Sequence, residues 1–183
     1  MKSSIIRPDI LTNTGRYYNF LSGDNLITVK EIARALSRIC RFGGHLKDDV
    51  EFYSVAQHSV FVSQIVPRED AFFGLFHDAA EAYIGDVTKP LKQLLPDFMG
   101  IEKHVEREVF QSLKLYHPMP KSIKLADRIM LATEQRDLMP PHDDVWALTE
   151  GIEPLPEKIE PLLPNAAFAL FMHRFEHLIV GGL

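Results

Sequence analysis

A chain of 183 residues that is 46% hydrophobic and 25% charged has the size and balance of one globular domain with one sizeable core. Its net charge of -5 excludes a global basic field for a nucleic-acid duplex, but local cations could still meet a small anion. Cys40 is the only cysteine, which excludes an intrachain disulfide and suits a cytoplasmic setting; residues 1–11 lack a signal-peptide apolar core, and no run approaches the roughly 18–20 apolar residues of a membrane span.

Within 16–29, two short runs rich in aromatic and β-branched residues flank Ser22-Gly23-Asp24-Asn25 and predict a small hairpin. Thr28 and Glu31 form a capping-box pair. They open a helix that carries Ile32, Ala35, Leu36 and Ile39, and Gly43-Gly44 should stop it. A second helix is predicted over 54–66, ended by Pro67. A third, over 69–84, ends at Gly85 and is apolar enough at Phe72, Phe73, Leu75 and Phe76 to lie in the core.

A short helix over 88–95 follows, with Pro90 in its first turn. Asp97 caps a longer one in which Ile101, Val105, Val109 and Leu113 recur every fourth residue. Pro118 and Pro120 separate it from a helix over 121–138. The stretch 139–164 holds six of the twelve prolines, which regular helix cannot accommodate, and Trp146, Leu148, Ile152 and Leu155 mark it as an ordered surface excursion. The last helix, 165–180, carries an apolar stripe of Phe168, Phe171, Met172, Phe175, Leu178 and Ile179. The fold class is therefore all-α: a helical bundle forming a single domain over 1–183, with a minor N-terminal β-hairpin.

His77 and Asp78 sit together in the hydrophobic run GLFHDAAEAYIGD. A buried carboxylate is costly without a partner, and a cation would resolve that cost. The plainer reading is a hydrogen-bonded core pair. Glu81 follows on the same side of the helix, four residues after His77 and three after Asp78. His58 lies in an upstream apolar stretch, SVAQHSVFV, and Asp127 in a downstream one, IKLADRIML. Three helices thus each offer a possible ligand, the way bundles build metal sites. Imidazoles and carboxylates together suit one divalent ion.

Other polar residues have plainer readings. Arg41 could cap a helix C-terminus, and Lys89 and Lys92 could be solvated. His45 reads as a loop anchor and His104 as part of a solvated helix face. His173 and His177 face away from the apolar stripe, and Glu134, Arg136 and Asp137 read as helix-surface ion pairs.

The order His58…His77-Asp78…Asp127 resembles the signature of HD-domain phosphohydrolases. The likeness runs through LSRICRFGGH (36–45), YSVAQHSV (53–60), FHDAAEAYIGDVTKPLK (76–92) and IKLADRIMLATEQRDL (123–138). It is closest to small bacterial and phage members, of the HD-type 5′-deoxynucleotidase and dATP triphosphohydrolase branches. The resemblance implies an HD-domain bundle in which His58, His77, Asp78 and Asp127 hold one divalent ion (Mn, Co, Mg, Zn, Ni or Fe). It implies that Glu81 assists proton transfer or positions the attacking water, Asp86 bonds the sugar and Arg41 meets phosphate; Lys89 and Lys92 stand nearby in the chain as further cations that could offset phosphoryl charge. Phe42 stands where relatives carry a tryptophan, a change that keeps a stacking face but loses a donor. The implied activity is hydrolysis of a (deoxy)nucleotide phosphate ester, dNMP or dNTP, by a metal-activated water. A cyclic-nucleotide phosphodiesterase and a non-catalytic metal- or nucleotide-binding protein remain as alternatives. Relatives of this kind form homo-oligomers, and neither a membrane nor a nucleic-acid duplex is an expected partner.

Overall fold

The computed structural model describes residues 7–115, 118–144 and 146–181, so part of the N-terminal stretch read above, 1–6, lies outside the described residues. The architecture is mostly helical with one two-stranded antiparallel sheet.

The hairpin forms with one of its two expected strands: the run 16–21 supplies a strand, but its partner precedes it rather than following residues 22–25. β1 (Asp9–Leu11) pairs with β2 (Tyr17–Asn19), with Ile10 opposite Tyr18. The turn lies between them, where Gly15 takes φ 79 and its amide donates to the Thr12 carbonyl at 3.0 Å. A glycine adopts that left-handed conformation at no steric cost. Residues 22–25, expected to be the turn, follow β2 instead. Asn25 anchors them by donating from its backbone and side-chain amides to Glu108. His104 also departs from expectation: it is half-buried, and its Nε2 donates to the Ser22 carbonyl at 2.8 Å.

α1 (Val29–Leu36) opens as its capping signature requires, with the Thr28 hydroxyl accepting from the Glu31 amide at 3.3 Å. It ends at Leu36 rather than at Gly43-Gly44. Cys40 then makes an antiparallel bridge to Ser54, and 41–44 form a separate tight turn. α2 (Val55–Ile65) starts from Ser54, whose hydroxyl accepts from the Gln57 amide at 3.1 Å.

The expected third helix is two helices. α3 (Ala71–Phe76) and α4 (Glu81–Ile84) are separated by a tightened stretch over 77–80. There the Ala79 amide donates to Phe76 and the Glu81 amide to Asp78, both at 3.0 Å. The Gly74 carbonyl accepts from the His77 ring. This break separates His77-Asp78 from Glu81. α5 (Lys89–Lys92) is shorter than expected, α6 spans Pro96–Ser112, α7 Lys121–Leu138 and α8 Pro164–Gly181.

α2 lies at the centre, packed against α3, α7 and α8. Phe76 meets Phe171 edge-on at 5.5 Å and Phe72 at 4.9 Å, and both Phe76 and Phe171 are fully buried. Of the α8 stripe, Phe171 is core, whereas Ile179 is exposed; His173 and His177 face outward as expected. Gly74 lets α3 approach α2: a Cβ there would stand 3.0 Å from Ser63 Cα and 3.3 Å from Ser63 N.

The Pro-rich excursion is ordered, but chiefly by side chains that close onto its backbone. Gln57 donates to the Glu160 carbonyl and accepts from the Leu162 amide. Thr133 accepts from the Leu155 amide and Asp137 from the Ile159 amide, both at 2.9 Å. Arg136 pairs with Asp137 through two bonds and donates to the carbonyls of Leu155 and Glu157. The apolar anchors of the excursion include Ile159, which is buried, while Leu148 is 36% exposed. Among the described residues, no helix is long and apolar enough to cross a membrane.

Candidate metal centre

Three elements deliver four acid and imidazole groups to one place. His58 stands on the first turn of α2, one residue past Gln57 and wholly buried. His77 and Asp78 follow the end of α3, and Asp127 comes from α7. Ligand atoms of His58, His77 and Asp127 lie within 4.8 Å of one another. Asp78 Oδ2 is 3.2 Å from His77 Nε2 and 3.6 Å from His58 Nε2, and Asp127 Oδ1 is 3.3 Å from His58 Nε2.

Hydrogen bonds set the rings. A carbonyl can only accept, so His77 Nδ1 must carry the hydrogen it donates to Gly74 O at 2.8 Å. His58 Nδ1 lies 2.6 Å from Glu134 Oε1. Each ring thereby turns its Nε2 toward the carboxylates, and both Nε2 atoms are buried without a hydrogen-bond partner. Two orphaned imidazole nitrogens facing two carboxylates fit a divalent transition ion. Outer hydrogen bonds of this kind are what orient histidine ligands.

Electrostatics reinforce the arrangement. Burial opposes ionisation of Asp78, yet His77, His58 and Arg41 hold it far below the usual carboxylate range. Asp127 is also depressed, against the effect of burial, by the nearby rings of His58 and His77. Burial and Arg41 push His58 down, but Glu134 and Asp127 outweigh them and lift it to about 9. Two ionised carboxylates stand beside two imidazoles, so the ring that carries a proton is the one a metal would deprotonate.

Arg41 and Phe42 occupy the tight turn before α2. The Arg41 amide donates to the Tyr53 carbonyl at 2.9 Å, and Phe42 takes φ 57, a left-handed conformation uncommon outside glycine. Arg41 is buried, not an exposed cap. Its Nε and Nη2 donate to Glu134 at 3.2 and 3.0 Å, and its Nη1 lies 3.8 Å from Asp78. Despite burial, Glu134 and Asp78 keep the guanidinium firmly charged. Phe42 is half-buried beside Trp146, with ring centroids 6.4 Å apart, and His142 stacks on Trp146 at 5.4 Å.

Glu81 and Asp86 share one acidic neighbourhood. Burial, then Asp78 and Asp86, pushes Glu81 well above the usual range, and its Oε2 is buried without a partner. Asp86 is raised as well, by burial with Asp78 outweighing Arg41. The two lysines are not brought in equally. Lys92 pairs with Glu102 of α6, and Lys89 is exposed. His45 is exposed too, at the end of the Arg41 turn.

Glu134 is the principal residue that sequence reasoning placed wrongly. It is not on the surface but fully buried, accepting from His58, Tyr53 and Arg41. Its signal was its spacing: seven residues beyond Asp127, two turns along the same face of one helix. Asp137, paired with the adjacent Arg136 as expected, is nonetheless buried where it bonds the excursion.

A sequence model described as "5'-deoxynucleotidase YfbR-like" matches residues 50–155, which include His58, His77, Asp78 and Asp127. The uncharacterized protein YfdR of Escherichia coli (strain K12) is 45% identical over 164 residues, 88% of this chain and 89% of that protein. An uncharacterized protein of Rhodobacter capsulatus is 27% identical over 124 residues, 61% of this chain and 63% of its own.

Proposed function

Since the chain belongs to the YfbR-like 5′-deoxynucleotidase family of HD-domain phosphohydrolases, we propose that it hydrolyses a phosphate ester of a deoxynucleoside mono- or triphosphate at the His58, His77, Asp78 and Asp127 centre. The observation that carries this is the pair of buried, unpartnered Nε2 atoms facing Asp78 and Asp127.

His58, His77, Asp78 and Asp127 would hold one divalent ion (Mn, Co, Mg, Zn, Ni or Fe), which would supply Lewis-acid charge toward water and the phosphoryl oxygens. The chain's own groups do the rest. Arg41, fixed through Nε and Nη2, has Nη1 directed toward Asp78, so it contacts a phosphoryl oxygen from one edge rather than through the full bidentate fork. Glu81, whose carboxyl burial, Asp78 and Asp86 push well above the usual range, is the proton donor to the leaving sugar oxygen. Asp86 accepts from the sugar hydroxyl, and Phe42 with Trp146 borders the base. Lys89 and Lys92 contribute longer-range positive charge only, since Lys92 is paired with Glu102. The proposed setting is the cytoplasm. The proposed assembly is a homo-oligomer, for which the exposed Leu91, Leu94 and Met99 offer apolar surface.

The test is a nucleotide panel incubated with Mn²⁺, Co²⁺ or Mg²⁺ and analysed for product. Free phosphate identifies monoester cleavage, and tripolyphosphate identifies triphosphohydrolysis. Metal-loaded protein that releases neither from any nucleotide overturns the proposal.

A further inference from the structure

One carboxylate serves two parts of the centre. Glu134 Oε1 accepts from Tyr53 Oη at 3.0 Å and stands 2.6 Å from His58 Nδ1, while Oε2 accepts from Arg41 Nε and Nη2 at 3.2 and 3.0 Å. The four donors come from three residues, in the turn before α2, in the chain just ahead of α2 and on α2 itself. All the groups are buried, so no solvent competes for these bonds. With Arg41 donating twice to one oxygen and Tyr53 once to the other, Glu134 has no hydrogen to offer and only accepts.

We infer that Glu134 is a positioning residue that orients a metal ligand and the anion-binding arginine from a single anchor. Resting on the reading above, this follows from the geometry of acceptance. Because Glu134 offers no hydrogen, His58 must place its own on Nδ1, which leaves the Nε2 lone pair for the ion. Because Glu134 occupies Nε and Nη2 of Arg41, only the Nη1 edge turns toward Asp78. Metal affinity and anion affinity therefore share a support that touches neither ligand. Outer partners of metal-bound histidines typically alter affinity about 10–100-fold when removed.

Glu134→Gln tests the inference, because glutamine keeps the shape but turns one oxygen into an NH₂ donor. Whichever way the amide sits, it faces either Arg41 or the Tyr53 and His58 pair with the wrong polarity. The readouts are Mn²⁺ binding by titration calorimetry, and inorganic phosphate binding at saturating Mn²⁺, on a variant shown by thermal melting to be folded. The expected result is at least about tenfold weaker binding of both. A folded variant that binds both within twofold of wild type overturns the inference, and so does one that loses Mn²⁺ affinity but keeps phosphate affinity. If the variant does not fold, ¹⁵N spectra of the Zn²⁺-loaded wild-type chain decide: a His58 proton on Nδ1 supports the inference, and a bare Nδ1 overturns it. Wild-type protein that binds no Mn²⁺ removes the metal-centre reading itself and this inference with it.

Discussion

Asp127 and Glu134 stand two turns apart on α7 and address opposite nitrogens of one imidazole: Asp127 Oδ1 is 3.3 Å from His58 Nε2, and Glu134 Oε1 is 2.6 Å from Nδ1. The docking of α2 on α7 is therefore written in polar contacts as well as apolar ones. A shift of α7 along its axis would disturb both sides of the ring together.

Adding Mn²⁺ to metal-free protein should raise its melting temperature, because a ligand bound only by the folded chain stabilises it, by about 2.7 kcal/mol at a hundredfold excess over Kd. Asp78→Ala should abolish the shift, since Asp78 Oδ2 lies near both histidine Nε2 atoms. Differential scanning calorimetry with and without metal measures it. An equal shift in the variant would remove Asp78 from the ligand set.

Metal binding should release a proton at neutral pH. His58 in the metal-free fold titrates at about 9, so at pH 7 the ring is protonated and must lose that proton to bind. Apparent affinity should rise about tenfold per pH unit up to about 9 and then level off. In the metal-free chain the sign runs the other way. A pKa raised on folding contributes stability that is fully present below the unfolded value, about 6.5, and is lost as pH rises through 9. Calorimetry in buffers of different ionisation enthalpy counts the proton; a count of zero at pH 7 contradicts the assignment.

Gly74→Ala should cost about 1–3 kcal/mol, the usual penalty for overpacking. Its Cβ would press on Ser63 backbone at 3.0 Å and on Val66 Cγ2 at 3.2 Å. The same push separates α2 from α3, which carry the chain to His58 and His77, so Mn²⁺ affinity should fall along with stability. Urea unfolding and metal titration on one preparation measure both, and a loss of stability with full metal affinity would show that the histidines tolerate the separation.

Glu81→Gln should lower kcat by about 10²–10⁴-fold, the range of general acid–base catalysis, while Mn²⁺ affinity stays near wild type. The buried and unpartnered Oε2 explains why the fold should tolerate the change. Steady-state kinetics on the preferred nucleotide, paired with metal titration, separates the two effects. Unchanged kcat would exclude Glu81 as the proton donor.

The cap at Thr28 and the helices were legible because each depends on neighbours within a turn or two of chain, whereas His58, His77, Asp78 and Asp127 stood out only by their order across three helices and its likeness to a known family. Glu134 was not, because the polar run ATEQRDL reads locally as a solvated face, and only tertiary packing with α2 buries it. The hairpin was expected and one strand, within 16–21, was read correctly, but its partner was sought after it instead of before it, since pairing across Gly15 depends on which neighbour the exposed edge meets. The break after α3 was hidden because an apolar run favours continuous helix, whereas the His77 side chain takes the Gly74 carbonyl. Arg41 was legible as a cation but not as a buried one, since its counter-charge lies on a distant helix.

The side-chain bonds that hold the Pro-rich excursion give the centre an external reporter. Gln57 is adjacent to His58 and Thr133 to Glu134, and these two neighbours fasten the Leu162 and Leu155 amides. Local opening of the excursion thus pulls on the same two helices that carry the imidazole and its anchor. Hydrogen exchange at the Leu155 and Leu162 amides is accordingly a gauge of how tightly the centre is closed, readable in whole protein without a nucleotide and without turnover.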